Sequence, residues 1–146
     1  TYAGFGSITL TNPAQGDLYV VKFDPLGNVL WAKGTGSLGG ARAKGIVTDW
    51  QGNIFITGTC GSMVPFGTYT LAGLGGPEIF VTKYDPSGNV VWAKGAGGNG
   101  VDVADGISLG ANNNLFVTGS SFSNRNIFGS TTLLNCDTIT SPNEIF

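Results

Sequence analysis

Apolar and β-branched residues in this chain come in runs of five to eight, each bounded by glycine, proline, asparagine or aspartate. That pattern predicts short strands joined by tight turns. Four such runs are "KGIVTDW" near 44–50, "NIFITGT" at 53–59, "EIFVTKYD" at 78–85 and "NVVWAKG" at 89–95. Segments such as "LYVV" and "IFITG" are apolar at odd and even positions alike. A sheet with one wet face would alternate, so these sheets are expected to be covered on both sides. The connectors carry turn chemistry. In "DPLGN" (24–28) and "DPSGN" (85–89) the proline presets φ, the aspartate can bond its own backbone ahead, and the glycine supplies the positive φ that closes a hairpin. The link "WQGN" returns as "ANNN", with Asn113 in place of Gly52; asparagine is the residue that best tolerates the left-handed region after glycine.

The runs repeat. "VVKFDPLGNVLWAKGTG" at 20–36 recurs as "VTKYDPSGNVVWAKGAG" at 81–97, an offset of 61 residues, and the register continues through Gly45–Ile46 and Gly106–Ile107 to "NIFITG" and "NLFVTG". "FGSITL" at 5–10 matches "FGTYTL" at 66–71, and a third copy opens at "FGSTTL", 128–133. A period of this size signals a repeat architecture. We therefore expect one all-β domain over 1–146, with copies at approximately 5–65, 66–127 and a partial 128–146. Four antiparallel strands per copy, covered on both faces, fit β-propeller blades. About 2.4 repeats fall short of the roughly four to eight blades that close a propeller, so the remaining blades are expected from the same longer chain or from other copies. A piece of a longer chain is the preferred reading.

At this point the pattern D-x-[FY]-V-x-K-[FY]-D-x-x-G-N-V-x-W-A-K-G, then G-I, then G-N-[IL]-[FY]-[VI]-T-G, resembles the bacterial β-propeller repeat called the seven-bladed propeller or SBBP repeat. The resemblance covers nearly the whole chain. It implies a secreted or cell-surface bacterial protein in which the propeller serves adhesion, binding or scaffolding, and it supplies no catalytic residue set. Likeness to NHL-type propellers implies that the "GIVTDW" strand lies innermost and "NVVWAKG" at the rim.

Composition narrows the function classes. The 25 glycines agree with many tight turns. With 11% charged residues and a net charge of −2 there is no electrostatic footprint for nucleic acid or an anionic membrane surface, and no apolar run is long enough to insert in a membrane. The absence of histidine and the lack of a C-x-x-C pair argue against zinc, and no cofactor is expected. Two G-x-G-x-x-G stretches, at 34–39 and 95–100, are followed by strands rather than the helix a dinucleotide needs, so they read as loops. Lys22, Lys33, Lys83, Lys94, Asp24 and Asp85 recur at fixed blade positions and read as structural, as do Trp31 and Trp92. Without histidine or an evident carboxylate dyad, a nucleophile and base are hard to assemble from these residues alone, so a non-catalytic role is expected, the alternative being part of an enzyme whose site is completed by the missing blades.

A purely structural need should repeat, so the positions where the copies disagree are the informative ones, as ligand contacts or as drifted residues of solvated loops. Arg42 and Lys44 stand against Val103 and Asp105, Asp49 and Trp50 against Gly110 and Ala111, and Asp102 against Ala41. Together with Arg125 in the long 121–143 loop, these form the candidate ligand-binding set. Asp102 and Asp105 offer calcium two oxygen donors without an Asp-x-Asp-x-Asp-Gly frame. Cys60 and Cys136 are a candidate disulfide between adjacent blades. The expected partners are a protein or a cell-surface glycan, the latter stacking on Trp50.

Overall fold

The computed structural model describes residues 2–11, 16–36, 39–73 and 75–135. Fourteen strands run through these residues: β1 (Tyr2–Phe5), β2 (Ile8–Thr11), β3 (Tyr19–Phe23), β4 (Val29–Gly34), β5 (Ala41–Thr48), β6 (Ile54–Cys60), β7 (Val64–Phe66), β8 (Tyr69–Leu71), β9 (Glu78–Tyr84), β10 (Val90–Ala96), β11 (Asp102–Leu109), β12 (Leu115–Ser121), β13 (Arg125–Phe128) and β14 (Thr131–Leu134). One complete blade is present, an antiparallel sheet in the order β10-β9-β6-β5. By the repeat, β3-β4 are the last two strands of the preceding blade and β11-β12 the first two of the following one. The fold is all-β, built of four-stranded propeller blades, as the runs predict. No helix among the described residues is long and apolar enough to cross a membrane.

The complete blade is apolar through and through, because β6 and β9 are almost wholly buried. On one face Leu18, just before β3, and Val20 of β3, with Trp31 of β4, pack against Ile54, Ile56, Phe80, Tyr84 and Ala93. On the other, β11 packs against β5, β6 and β9, and Ile107 lies so close to Gly45 that a Cβ there would meet its side chain at 2.8 Å. Thr57 and Thr82, fully buried, donate their hydroxyls to the carbonyls of Phe80 and Trp92 at 2.8 and 3.2 Å. That satisfies polar atoms that would otherwise be costly inside.

Two features go beyond four strands per copy. Each repeat inserts a two-stranded hairpin between its second and third blade strands: β1-β2, β7-β8 and β13-β14. The two-residue loops begin at Gly6, Gly67 and Gly129, all with φ near +60°, where a type II′ turn needs glycine. The second of these hairpins lies against β10 and places Phe66 on Phe80, ring centroids 4.9 Å apart. The third, over 125–134, lies within what the sequence leaves as a long loop over 121–143. Second, the first strand of each copy's blade, β5 and β11, is bulged. Lys44 is the extra residue between Ala43 and Gly45, and Asp105 the extra residue between Ala104 and Gly106. The bulge presses Arg42 O and Val103 O to within 2.0 Å of where a Cβ on Gly58 or Gly119 would stand. That is why the "TG" ending both "NIFITG" and "NLFVTG" must be glycine.

Candidate functional site

The seven candidate residues are distributed over three places. Lys44 and Asp105 are the bulged residues of β5 and β11, both exposed, opposite in charge and equivalent in position. A bulge leaves its extra residue out of the ladder and re-aims its side chain. Asp105 accepts the Ser120 hydroxyl at 3.3 Å. Arg42, Asp102 and Arg125 lie at the beginnings of β5, β11 and β13. Asp49 and Trp50 lie beyond the other end of β5, roughly 25 Å away for eight residues of strand.

Asp49 is held in a turn. Its carboxylate accepts the backbone N–H of Gln51 at 3.0 Å, that of Asn53 at 2.8 Å and the Asn53 amide at 2.8 Å. Asp24 bonds Leu26 and Asn28 in the same way, and Asp85 bonds Ser87 and Asn89. In each turn the glycine before the asparagine has φ of +81° to +85° and closes an N–H···O bond of 3.0 Å to the aspartate carbonyl. The Asn28 and Asn89 bonds hold the carboxyls of Asp24 and Asp85 below the ordinary value. At Asp49 burial works upward, but the bonds from Asn53 and Gln51 outweigh it and the net direction is down. The motif D-x-x-G-N, present three times, is the signal that marks Asp49 as a turn residue. In the fourth turn Gly110 replaces the aspartate, Asn112 and Asn113 take φ of +58° and +61°, and a 3₁₀ turn forms over Ala111–Asn113. Trp50, 83% exposed, sits where the other two turns carry proline.

Asp102 is fully buried. Its Oδ2 accepts Gly98 N–H at 2.7 Å and Ser123 Oγ–H at 2.8 Å, and its Oδ1 lies on Ser121 Oγ. Ser121 also bonds Asn126 Oδ1 at 2.8 Å. Glu78, itself buried, has its carboxyl pushed up by burial and by the negative charge of Asp102. Asp102 and Asp105 thus serve separate partners and share no site. Among the described residues no group of three or more histidine, cysteine or acidic side chains is placed to hold a metal.

Arg42 borders a cavity of about 370 Å³ lined also by Gly39, Gly40, Thr59, Cys60 and Pro77. Thr59 Oγ1 is buried there without a hydrogen-bond partner among the described residues. Burial and, second, the charge of Glu78 push the Cys60 thiol up to about 11. Cys136 lies outside the described residues, and the disulfide expectation with it.

Trp31 and Lys22, read from their recurrence as structural residues packing blade to blade or bonding a turn, meet at one contact between blades. Trp31 Nε1 and Lys22 Nζ both donate to Pro86 O, each at 3.1 Å, and Gly88 lies beneath the Trp31 ring. One blade thereby grips the turn of the next. The invariance of K, D-P, G and W across copies held the clue.

No family model matches the chain. Over 109 residues, 70% of this chain, it is 29% identical to an uncharacterized WD repeat-containing protein of Acanthamoeba polyphaga mimivirus. The matching stretch is 8% of that protein, so this chain spans less than a tenth of its relative's length. The similarity and the blades agree on a β-propeller-type repeat.

Proposed function

We propose that this chain is a non-catalytic interaction module, a set of propeller blades that presents variable side chains on a fixed frame to a protein or surface partner. The observation that carries the reading is the division of labour between repeated and variable residues. The repeated aspartates, glycines, Lys22 and Trp31 are engaged in turns and blade contacts. The variable Arg42, Lys44, Trp50 and Asp105 are exposed, on β5 and β11 or the turn that follows. Rigid scaffolds with variable exposed positions suit recognition. The SBBP resemblance extends the proposal to a secreted or cell-surface bacterial protein with an adhesive role, SBBP being the finer family assignment.

A second reading, a carbohydrate-binding propeller, draws on Trp50, whose exposed indole suits stacking on a sugar face. Protein and glycan microarrays probed with the wild type, with Arg42→Ala/Lys44→Ala and with Trp50→Ala separate these readings. A protein ligand lost in the double variant supports the first; a glycan lost in Trp50→Ala supports the second. Binding undiminished in both variants contradicts placing recognition at these residues. Turnover of an ester, glycoside or phosphate panel by the purified chain, abolished by Arg42→Ala/Lys44→Ala or by Trp50→Ala, would contradict the non-catalytic assignment.

A further inference from the structure

The bulges of β5 and β11 hold equivalent positions with opposite chemistry. In the following blade the bulged residue is Asp105, and its carboxylate accepts the hydroxyl of Ser120 at 3.3 Å. In the complete blade the bulged residue is Lys44, and the hydroxyl equivalent to that of Ser120 belongs to Thr59. Thr59 Oγ1 is buried and has no hydrogen-bond partner among the described residues. Arg42 stands directly opposite Thr59 on the neighbouring strand, where the following blade sets Val103 opposite Ser120. One blade supplies its own carboxylate to the hydroxyl. The other puts a lysine in place of that carboxylate, adds an arginine and leaves the hydroxyl unserved. We propose that this position of the complete blade is a carboxylate-binding site, filled by an acidic side chain of the partner. The proposal deepens the interaction-module reading and rests on it.

Both walls of the site belong to the described chain. Ala41, Ile56 and Cys60 pack toward β3, so alternation along the strands turns Arg42 and Thr59 to the other face, the one β11 packs against. The acidic residues of that neighbour are engaged elsewhere. Asp102 bonds Gly98, Ser121 and Ser123, and Asp105 bonds Ser120 of its own blade. Glu78 lies with Asp102 beside Gly97, where a Cβ would stand 3.3 Å from Glu78 Cγ and 2.7 Å from Asp102 Oδ2. Arg42 and Lys44 are exposed, and neither makes an ion pair or hydrogen bond among the described residues.

The cavity of about 370 Å³ bordered by Arg42 and Thr59 gives a carboxylate its room. Gly39, Gly40 and Gly61 on its rim present no side chains, so the approach is open to a carboxylate carried on another chain. Each contact has its chemistry. The planar guanidinium of Arg42 matches two carboxylate oxygens at once. Thr59 supplies one O–H donor. Lys44, as the extra residue of the bulge, is released from the ladder and brings a second positive charge to the same place.

Two probes separate the sources of the carboxylate: sodium succinate as a free small carboxylate, and a short glutamate-rich peptide. The glutamine version of the peptide and sodium chloride at matched ionic strength are the controls. In an amide NMR titration of the 146-residue chain, the acidic peptide should give saturable shifts at Arg42, Lys44 and Thr59, and the glutamine peptide none. Thr59→Val keeps the shape, removes the hydroxyl and should weaken the peptide roughly tenfold, the value of one hydrogen bond to a charged group. Lys44→Asp, at an exposed position, supplies the carboxylate internally as Asp105 does in the following blade. It should bind the peptide more weakly than Lys44→Ala and unfold at higher urea than Lys44→Ala, because Thr59 gains its acceptor. That comparison reads the same bond without relying on Thr59→Val. No saturable shift with either probe, an unchanged affinity in Thr59→Val, or a lower urea midpoint in Lys44→Asp than in Lys44→Ala overturns the proposal. Succinate binding as tightly as the peptide overturns the partner side chain as the occupant. A microarray partner lost in Arg42→Ala/Lys44→Ala but indifferent to Thr59→Val and to the acidic peptide overturns the carboxylate site and leaves the interaction module standing. Partner binding undiminished in the double variant contradicts the module reading itself.

Discussion

Asp102 occupies, one blade on, the place of Ala41: Ala41 faces Cys60 and Asp102 faces Ser121 across equivalent strand pairs. The neighbouring hairpins follow suit, with Val64 in one and Asn126 in the other, both buried. One junction is closed by an apolar set, Ala41, Cys60 and Val64, and the next by a hydrogen-bonded set, Asp102, Ser121 and Asn126. Asp102→Ala alone leaves Gly98 N–H and Ser123 Oγ short of a buried acceptor and should cost about 2–3 kcal/mol in urea unfolding. The triple variant Asp102→Ala/Ser121→Cys/Asn126→Val, which transplants the apolar set but still leaves Gly98 N–H and Ser123 Oγ without that acceptor, should recover part of that loss through apolar packing. Equal or greater damage in the triple variant would show that the two junctions are not interchangeable.

Glycine at the bulge is a steric demand. A Cβ on Gly58 would stand 2.0 Å from Arg42 O and 2.9 Å from Ala43 Cα, both backbone atoms that a rotamer change cannot move. Gly58→Ala should therefore destabilise by about 3 kcal/mol or more, the upper end of what overpacking costs. Gly4→Ala, where nothing lies within 4 Å, should change stability by less than about 1 kcal/mol. Denaturation midpoints of the two variants check the contrast.

Acid should act on the three aspartate turns. The carboxyls of Asp24, Asp49 and Asp85 titrate below their ordinary 3.8 in the folded chain, so the unfolded chain takes up protons first. Their contribution is fully present above pH 3.8 and is lost as pH falls through the lowered folded values. Glu78 works in the opposite sense. Burial first, then Asp102, raise its carboxyl above 4.5, so the stability linked to its protonation is present below 4.5 and lost as pH rises through the folded value. Urea midpoints should fall from pH 4 to pH 2 in the wild type and less steeply in Asp24→Asn/Asp49→Asn/Asp85→Asn. Glu78→Gln should raise the midpoint at pH 7. A wild-type profile that is flat below pH 4 contradicts the first expectation.

The Cys60 thiol, raised to about 11 and 3% exposed, should be inert in the folded protein. In a Cys136→Ser variant, iodoacetamide at pH 8 should label Cys60 at least tenfold faster once urea unfolds the chain. Equal rates would mean that the Ala41–Cys60–Val64 junction opens readily.

The repeat period and the alternation-free apolar runs make the blade strands legible, because both are local properties of the chain. β5, β6, β9 and β10 fall within a few residues of the runs that announce them. The inserted hairpins are less legible: β7 and β8 are three residues each, below the length at which a pattern is distinguishable from a loop. Only the repeated F-G-[ST] marks them. Among the candidate positions, Asp49 shows how comparison between copies misleads when a motif also recurs within a copy. Its difference from Gly110 reflects two solutions to the same turn, one by an aspartate cap and one by left-handed asparagines. The Trp31 grip on Pro86 spans 55 residues, so recurrence across copies marks the tryptophan as structural without showing which atom it bonds.

The central claim is that successive copies are blades interlocked in register, with Trp31 of one seated on the turn of the next. The most direct measurement is a two-dimensional NOE spectrum of the folded chain. The account predicts strong cross-peaks from the Trp31 indole to the Gly88 Hα protons, since the ring stands about 3 Å from the Gly88 Cβ position. Trp31 cross-peaks confined to residues 19–34, with none to Pro86–Asn89, would contradict it.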